Sequence, residues 1–183
     1  SAVKNIIDSA SFKENKLNIL EIGCGGGKRL EWMKGNLNVD VYGIDPSLDA
    51  INQAVRYGIN AKKGTADSIP FSSGFFDIVI FGFCLYLCDK DDFFKISSEA
   101  NRVLKSKSWL VIQDFFSISE NIKEYGHKDG VYVRKMDYRS LFTWHPDYVC
   151  FHHAVYQHLS TQFIDDKNEW VSTSVIRKDV KSV

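Results

Sequence analysis

Short apolar segments alternate with longer amphipathic segments along residues 17–116, and this alternation limits the possible folds more than any other feature of the sequence. The apolar segments have the length of β-strands, and they cover residues 17–23, 39–45, 59–66, 75–83 and 108–116. The clearest helical segment is 47–58, which begins with a serine suited to an N-cap and ends at a glycine. Such alternation predicts βαβ units, and therefore a mainly parallel sheet with helices on both faces.

The last third of the chain has a different pattern. A short helical segment is predicted near 137–144, and two strand-like segments follow at 148–159 and 169–178. The segment between these two strands is short enough for a hairpin loop, so the pair is expected to be antiparallel. The sequence therefore predicts an α/β fold, a three-layer sandwich whose seven-stranded sheet is mainly parallel and ends in an antiparallel C-terminal hairpin. We expect residues 1–183 to form a single domain, because no internal repeat or linker interrupts them.

The charge of the chain argues against highly charged partners. Lysine plus arginine and aspartate plus glutamate both number 23, so the formal net charge is zero, and the pI is about 6.9. Surfaces for nucleic acid or anionic membranes usually need a clustered basic excess, so we expect neither partner and a small-molecule substrate instead. The chain has no long apolar run, and its polar first residues do not resemble a signal peptide, so a cytoplasmic location is expected. Nothing in the sequence indicates the oligomeric state.

The four cysteines stand at positions 24, 84, 88 and 150. No pair has Cys-x-x-Cys spacing, and a neutral globular chain of this size does not need disulfide bonds, so reduced thiols are expected. Cys84 and Cys88 could share one face of a helix, but two thiols alone do not make a zinc site. We therefore expect no metal.

Glycine dominates the segment that follows the first predicted strand, EIGCGGGKRL at residues 21–30. Glycine costs roughly 0.5–1 kcal/mol relative to alanine inside regular structure, so a run of glycines indicates that bare backbone is needed, either for a tight turn or for a ligand that lies on it. In an open parallel sheet the ligand crevice lies beyond the carboxyl ends of the strands, and helix N-termini attract negative groups. The dinucleotide fingerprint needs glycine where this chain has Lys28, and the phosphate-loop pattern fails because Arg29 follows that lysine.

The pattern that fits is acidic-x-Gly-x-Gly-x-Gly, formed by Glu21, Gly23, Gly25 and Gly27. Together with Asp45 at the end of the second predicted strand, it resembles the class I family of S-adenosylmethionine (SAM)-dependent methyltransferases. Three further segments resemble that family in the same order, namely GTADSIPFSSGFFDIVIF from residue 64, CLYLCD from residue 84 and EANRVLKSKSWLVIQD from residue 99.

The resemblance covers residues 17–116, the expected cofactor-binding half, and leaves 117–183 as a substrate-facing region with the C-terminal strands. It implies a Rossmann-like fold, SAM as the cofactor and methyl transfer as the activity. The cofactor-binding residues that it implies are Glu21, Gly23, Cys24, Gly25, Asp45, Pro46, Asp67, Ser68, Phe81 and Gly82.

The resemblance also implies what these residues do. Asp45 is expected to accept hydrogen bonds from both ribose hydroxyls, and Asp67 from the adenine amino group. Gly23 and Gly25 let the backbone approach the cofactor where a Cβ atom would collide. Glu21 is expected to hold the loop, or to hold the methionyl amino group through water. Asp45 as a simple turn residue and Asp67 as the N-cap of a short turn are the alternatives.

The candidates for a general base are concentrated in the last third of the chain, which holds all five histidines: His127, His145, His152, His153 and His158. Histidine titrates near neutral pH, but each of the five also has a purely structural alternative. His152 and His153 are adjacent on a predicted strand, so at most one of them can face the crevice. We favour His145 and His127, with Tyr86, just beyond the fourth predicted strand, as a third candidate.

The acceptor follows only indirectly from the sequence. The Asn/Asp-Pro-Pro-aromatic motif of the family's amino-methylating members would fall at the end of the fourth predicted strand, where this chain has FGFCLY. Its absence argues against adenine or glutamine side chains and favours an oxygen acceptor on a small or carrier-linked metabolite. The last third also resembles small methyltransferases associated with surface-glycan biosynthesis, which implies a glycan precursor. The N-terminus is short for a family that often places a substrate-covering cap there.

Two other functions are compatible with the sequence. An NAD-dependent oxidoreductase uses a similar sheet, but Lys28 counts against it, and an antiparallel C-terminal hairpin would count further. A non-catalytic SAM-binding module would have the same glycine loop without a catalytic base.

Overall fold

The computed structural model of the protein describes residues 2–8, 16–124, 132–158 and 166–180. The strands in these residues are β1 (Leu17–Ile22), β2 (Val39–Asp45), β3 (Asn60–Lys63), β4 (Phe76–Gly82), β5 (Leu104–Phe115), β6 (Asn121–Glu124), β7 (Tyr132–Lys135), β8 (Tyr148–Gln157) and β9 (Trp170–Asp179). The α-helices are α1 (Ala2–Ile7), α2 (Lys28–Asn36), α3 (Leu48–Arg56), α4 (Phe93–Val103) and α5 (Ser140–Thr143). Short 3₁₀ turns cover Leu85–Leu87, Lys90–Asp92 and Lys167–Glu169.

The main sheet has seven strands in the order β3-β2-β1-β4-β5-β9-β8. β1 pairs in parallel with both β2 and β4, and β3 and β5 extend the parallel part on its two sides. β9 pairs antiparallel with β5, and β8 pairs antiparallel with β9. The predicted seven-stranded, mainly parallel sheet with an antiparallel C-terminal hairpin is therefore confirmed.

Helices cover both faces of this sheet, and each face has its own core because successive strand residues point to opposite sides. On one face, α1, α2 and α3 bury Val3, Leu30 and Ile51 against the sheet. On the other face, α4 and α5 bury Ile96 and Phe142. This arrangement is the predicted three-layer sandwich. Within the described parts of the chain, no helix is long and apolar enough to cross a membrane.

The central elements form for the reasons that the sequence indicated. All seven residues of β4 are buried, because this strand has a neighbour on each side and helices on both faces. α3 begins at Ser47, whose hydroxyl accepts the N–H of Ala50 at 3.3 Å. After its last turn, Gly58 adopts a φ of +70°, the left-handed conformation that commonly ends a helix.

The structure departs from the predicted elements where the periodic signal is short. α1 and the antiparallel pair of β6 and β7 were not predicted, since elements of six and four residues carry little periodicity. β5 begins at Leu104 rather than Ser108, so it also includes residues 104–107. In that segment the ladder with β4 shifts register, while Lys107 pairs with Asp179 of β9. Pairing with β9 therefore keeps this segment extended.

A buried lysine joins β9 to the end of α4. The ammonium group of Lys178 donates to the carbonyl oxygens of Asn101 at 2.8 Å and of Leu104 at 3.2 Å, and the residue is only 5% exposed. Carbonyl groups at a helix C-terminus lack partners within the helix, and a lysine is well suited to satisfy them. Burial lowers the pKa of Lys178.

The variant Lys178→Met keeps an apolar stem of similar length but removes the donor from these carbonyl groups. We expect the free energy of unfolding to fall by about 2 kcal/mol, the usual cost of an unsatisfied buried polar group. Urea unfolding followed by circular dichroism measures it. The control is Lys107→Met, at an exposed position of β5, which should change the value by less than about 0.5 kcal/mol. Equal losses in the two variants would contradict this role of Lys178.

Candidate functional site

A crevice with a volume of about 440 Å³ lies at the carboxyl ends of β1, β2 and β4. Its wall includes Gly23, Asp45, Pro46 and Asp67, four of the residues that the sequence resemblance implies. The remaining wall comes mainly from the segment between β4 and α4. The ligand crevice of an open parallel sheet is expected at this edge.

The glycine loop forms one side of the crevice. Gly23 and Gly25 have φ values of +73° and +52°, in the left-handed region that favours glycine. A Cβ atom on Gly23 would lie 2.6 Å from the Cβ atom of Cys84, in the segment after β4. The loop and that segment therefore approach so closely that a side chain at position 23 would displace one of them.

Asp45 ties the glycine loop to the start of α3. One of its carboxylate oxygens accepts the N–H of Gly25 at 3.0 Å, and the other accepts the N–H of Ser47 at 2.9 Å. Each carboxylate oxygen has a second lone pair, so Asp45 retains capacity for hydrogen bonds from a ligand in the crevice. Asp45 thus has a structural role that is compatible with its predicted ligand-binding role.

Asp67 lies on the crevice wall in the loop after β3. Its carboxylate forms a 3.0 Å salt bridge with Lys95. Hydrogen bonds from Thr65 and Lys95 hold the pKa of Asp67 below its ordinary value, so this side chain is an ionised acceptor at neutral pH. The buried side chain of Ile96 belongs to the same wall and gives the crevice an apolar surface.

Glu21 is buried at the end of β1, directly before the glycine loop. Its Oε1 atom forms a 2.9 Å salt bridge with Arg29, whereas its Oε2 atom has no hydrogen-bond partner within the described residues. Burial raises the pKa of Glu21 to about 7, although the charge of Arg29 opposes the rise. A Cβ atom on Gly82 would lie 2.5 Å from Oε1, so the carboxylate occupies the space that a side chain at position 82 would need.

Arg29 links this carboxylate to the antiparallel strands. Its guanidinium group donates to the side-chain oxygen of Gln113 at 2.9 Å, and the amide nitrogen of Gln113 donates to the hydroxyl of Tyr156 at 2.9 Å. The Tyr156 hydroxyl lies 2.7 Å from the hydroxyl of Thr173. A hydrogen-bond network therefore runs from β1 through β5 to β8 and β9.

Four of the implied cofactor-binding residues have side chains that do not line the crevice, and the first is Glu21, which is buried behind the loop. Cys24 packs beneath the loop against Gly43, and burial raises the pKa of its thiol to about 12. Phe81 is fully buried, with its ring centroid 6.1 Å from that of Phe142 in the core. Ser68 is exposed beside the crevice and does not line it.

The structure separates the favoured catalytic candidates. His145 lines a second cavity of about 670 Å³ between α4 and α5, and this cavity shares no wall residue with the crevice. His127 lies outside the described residues. Tyr86 lies in the segment after β4, with its ring centroid 5.0 Å from that of Phe115. Of the two described candidates, Tyr86 is therefore the one that lies in the segment beside the crevice.

Sequence reasoning missed three residues that organise this site. Asp114 is fully buried and fixes the segment after β4, because its carboxylate accepts the N–H groups of Cys84 at 3.0 Å and Leu85 at 2.8 Å. Burial raises the pKa of Asp114 to about 7, against the lowering effect of these backbone hydrogen bonds. An acidic residue at the end of a predicted strand was a usable signal for Asp114. Arg29 and Gln113 gave no such signal, since they meet only across 84 residues of sequence.

All four cysteines are free in the structure. Among the described residues, no three histidine, cysteine or acidic side chains are arranged to hold a metal ion. The thiols of Cys84 and Cys88 instead donate to backbone carbonyl oxygens, those of Ile22 and Cys84, each at 3.3 Å.

Comparison with known proteins identifies the family. A family model described as a methyltransferase domain matches residues 20–112, just over half of the chain. The chain belongs to the methyltransferase domain family. The predicted family, the enzyme class and SAM as the cofactor are therefore confirmed. No curated protein matches the sequence significantly.

Solved structures of low identity share the fold of this methyltransferase. A SAM-dependent methyltransferase from Methanosarcina mazei is 19% identical, with a TM-score of 0.72, and the match covers 92% of this chain and 95% of that chain. One from Mesorhizobium loti is 14% identical, with a TM-score of 0.68 and coverage of 90% and 92%. The 1,6-didemethyltoxoflavin-N1-methyltransferase from Burkholderia thailandensis, determined with 1,6-didemethyltoxoflavin and S-adenosylhomocysteine, is 12% identical, with a TM-score of 0.70 and coverage of 98% and 83%. At these identities the likeness concerns the fold alone.

Burial predicts that the Glu21 carboxyl of the free methyltransferase titrates at a pH of about 7. Carbon-13 NMR of the side-chain carboxyl signals measures this pKa, and the variant Glu21→Gln assigns the signal by removing it. Arg29→Met should raise the Glu21 pKa further, because it removes the charge that stabilises the ionised form. A Glu21 pKa near the ordinary value of 4.5 in both proteins would contradict this account of the site.

Proposed function

We propose that this methyltransferase transfers the methyl group of SAM to an oxygen atom of a small or carrier-linked metabolite. The observation that carries the proposal is the crevice, which Asp45 and Asp67 face across bare glycine backbone, with Glu21 buried behind the loop. SAM combines a ribose diol, an adenine amino group and a methionyl ammonium group, and each of them suits one of these three carboxylates.

The residues of the crevice fit this cofactor. We assign the ribose diol to Asp45, whose oxygens retain free lone pairs, and the adenine amino group to the ionised carboxylate of Asp67. The ammonium group suits Oε2 of Glu21, a buried acceptor that has no partner within the described residues. The bare backbone at Gly23 and Gly25 admits the methionyl part and the ribose.

The protein's own part in the reaction is positioning. SAM supplies a methyl group bonded to positively charged sulfur, which the acceptor attacks. Asp114 fixes the segment after β4 through buried hydrogen bonds, so the wall of the crevice is rigid before any ligand binds. Holding two reactants in a fixed geometry supplies a large part of the rate enhancement of such a reaction. Tyr86 belongs to this fixed segment, whereas His145 lines the other cavity and receives no role here.

Two observations support an oxygen acceptor. The segment FGFCLY replaces the proline-containing motif of amino-methylating relatives, and the net charge of zero offers no excess of basic residues for nucleic acid. The N-methyltransferase from Burkholderia thailandensis shares only the fold with this chain. A surface-glycan precursor is one acceptor class that fits the proposal, and a cytoplasmic location stays a prediction from the sequence.

The oxidoreductase alternative loses support. Lys28 stands where a dinucleotide loop needs its third glycine, and β8 and β9 form the antiparallel hairpin that also counts against that class. Family membership agrees with both observations.

Isothermal titration calorimetry tests the cofactor assignment. We expect S-adenosylhomocysteine and SAM to bind and NAD not to bind. Asp45→Ala should weaken S-adenosylhomocysteine binding at least tenfold, on the order of the loss of two hydrogen bonds. The control is Asp49→Ala, an exposed aspartate in the first turn of α3, which should leave the dissociation constant unchanged. Thermal unfolding of both variants shows whether the loss of the Gly25 contact disturbs the fold.

Each contrary outcome removes a different part of the proposal. Binding of NAD without SAM would overturn the cofactor assignment. An unchanged dissociation constant in Asp45→Ala would remove Asp45 from the site. Tight SAM binding without methyl transfer to any phenol, sugar nucleotide, carboxylate or amine would indicate a non-catalytic SAM-binding module.

A further inference from the structure

Four half-buried rings meet beside the crevice, and we call Phe83, Tyr86, Phe115 and His158 the aromatic wall. The ring centroid of Phe115 lies 5.6 Å from that of Phe83, 5.0 Å from that of Tyr86 and 5.2 Å from that of His158. Phe83 itself lines the crevice, and its ring centroid is 5.6 Å from that of His158. Phe83 therefore contacts both the crevice and the imidazole ring of His158.

The position of Phe83 is fixed by an unusual backbone. Its φ is +55°, the one positive value of a non-glycine residue in the described part of the chain. Its N–H donates to the backbone carbonyl of Gln113 at 2.8 Å, which holds the residue in this conformation. For a bulky side chain such a conformation is costly, and it is found chiefly where function fixes the position of a residue. The ring is thereby held at the edge of the crevice.

His158 is held from its far side by Glu169. The Nδ1 atom of the histidine lies 3.5 Å from Oε2 of Glu169, and the backbone N–H of His158 donates to the Glu169 carbonyl at 2.8 Å. A proton on Nδ1 that faces a carboxylate leaves Nε2 as the nitrogen with a lone pair. Nε2 is therefore the nitrogen of His158 that can accept a proton.

Other charged groups surround the aromatic wall. The ammonium nitrogen of Lys135 stands 4.4 Å from the ring centroid of Phe115, and it also donates to the carbonyl of Asn168. Burial lowers the pKa of Lys135, and Glu169 opposes that effect. The titratable groups that face this cluster are Glu169, Lys135, Lys123, Asp166 and Tyr86.

We propose that His158 is the general base of methyl transfer and that the aromatic wall binds the ring that carries the acceptor hydroxyl. The hydroxyl oxygen forms the new bond to the methyl carbon and gives its proton to Nε2 of His158. The electron pair of the broken carbon–sulfur bond stays on sulfur, so the products are a methyl ether and S-adenosylhomocysteine. The imidazolium formed on His158 is stabilised by Glu169.

The chemistry of the cluster favours a ring hydroxyl over other acceptors. Aromatic surface binds flat or apolar ring faces well, and edge-to-face contacts add to the burial of area. The positive charge of Lys135 favours the negative charge that develops on the hydroxyl oxygen as its proton leaves. Phenols and sugars both carry a hydroxyl group on a ring, so the experiment tests compounds of both classes.

The inference rests on the proposed function. The experiment therefore measures cofactor binding, which tests the proposed function, separately from the kinetics, which test the role of His158. The full chain with SAM is tested on catechol and 4-hydroxybenzoate as phenols, on UDP-glucose and methyl α-glucoside as sugars, and on phenethylamine as an amine. For the best acceptor, kcat, KM and the pH dependence of kcat are measured in wild type, His158→Gln and Glu169→Gln. His152→Gln, an exposed histidine of β8, is the matched control. Calorimetry gives the S-adenosylhomocysteine dissociation constant of each protein.

We expect a ring hydroxyl to be methylated and His158→Gln to lower kcat on the order of 100-fold, the usual contribution of a general base. The acid limb of the pH profile should disappear in this variant, while its S-adenosylhomocysteine affinity stays unchanged. Glu169→Gln should lower kcat about tenfold, since it removes only the group that orients and stabilises the imidazole. Phe115→Leu should raise KM about fivefold through lost ring contacts. His152→Gln should match wild type.

Retention of wild-type kcat and pH profile in His158→Gln would overturn the inference. Methylation of phenethylamine alone would also overturn it, as would a lack of methylation of all four compounds that carry a ring hydroxyl. Methylation of a phenol or of a sugar supports it and identifies the source of the ring. If wild type fails to bind S-adenosylhomocysteine, the proposed function itself fails.

Discussion

The buried carboxylate of Glu21 is the constraint on which the arrangement of the site depends. A charge at this depth is costly unless it is paired, and here Arg29 pairs with one oxygen only. A Cβ atom at position 82 would lie 2.5 Å from Oε1, so a side chain there would displace the carboxylate. Oε2 has no partner within the described residues, and the proposed function assigns this oxygen to the ammonium group of the cofactor. A binding site built on an incomplete ion pair connects affinity to protonation, since the pKa of Glu21 lies near neutrality in the free protein.

Gln113 connects the two halves of the site. Its side-chain oxygen accepts from Arg29 and its side-chain nitrogen donates to Tyr156, which fixes the orientation of the amide. Its backbone carbonyl accepts the N–H of Phe83 and so holds the strained residue of the aromatic wall. One residue of β5 therefore contacts Arg29 through its side chain and Phe83 through its backbone.

The sequence predicted those parts of the structure that short-range patterns encode. Strand β4 is a nearly continuous apolar run because all seven of its residues are buried, and β1 is buried at five of its six residues. The glycine loop departs from the dinucleotide pattern at Lys28. The strand that begins at Leu104 was predicted too short, because Leu104 pairs with Phe76 of β4 and Lys107 pairs with Asp179 of β9, about seventy residues later in the chain. The contact of Arg29 with Gln113 spans a similar distance. Periodicity and motif spacing contain no information about such contacts. Asp45, in contrast, stands at the end of β2, and the topology of a parallel sheet places that end at the crevice.

The histidines show that the sequence also contains little information about which side chains the fold brings together. His145 is a favoured candidate from the sequence, yet it follows α5, which packs beside α4 on one face of the sheet. His158 stands two residues after Tyr156, so strand alternation gives both side chains the same face. Pairing of β8 with β9 and of β9 with β5 then brings that face beside Gln113 and Phe115. The position of His158 beside Phe83 and Phe115 therefore depends on the order of three strands in the sheet, which the local sequence around the histidine does not encode.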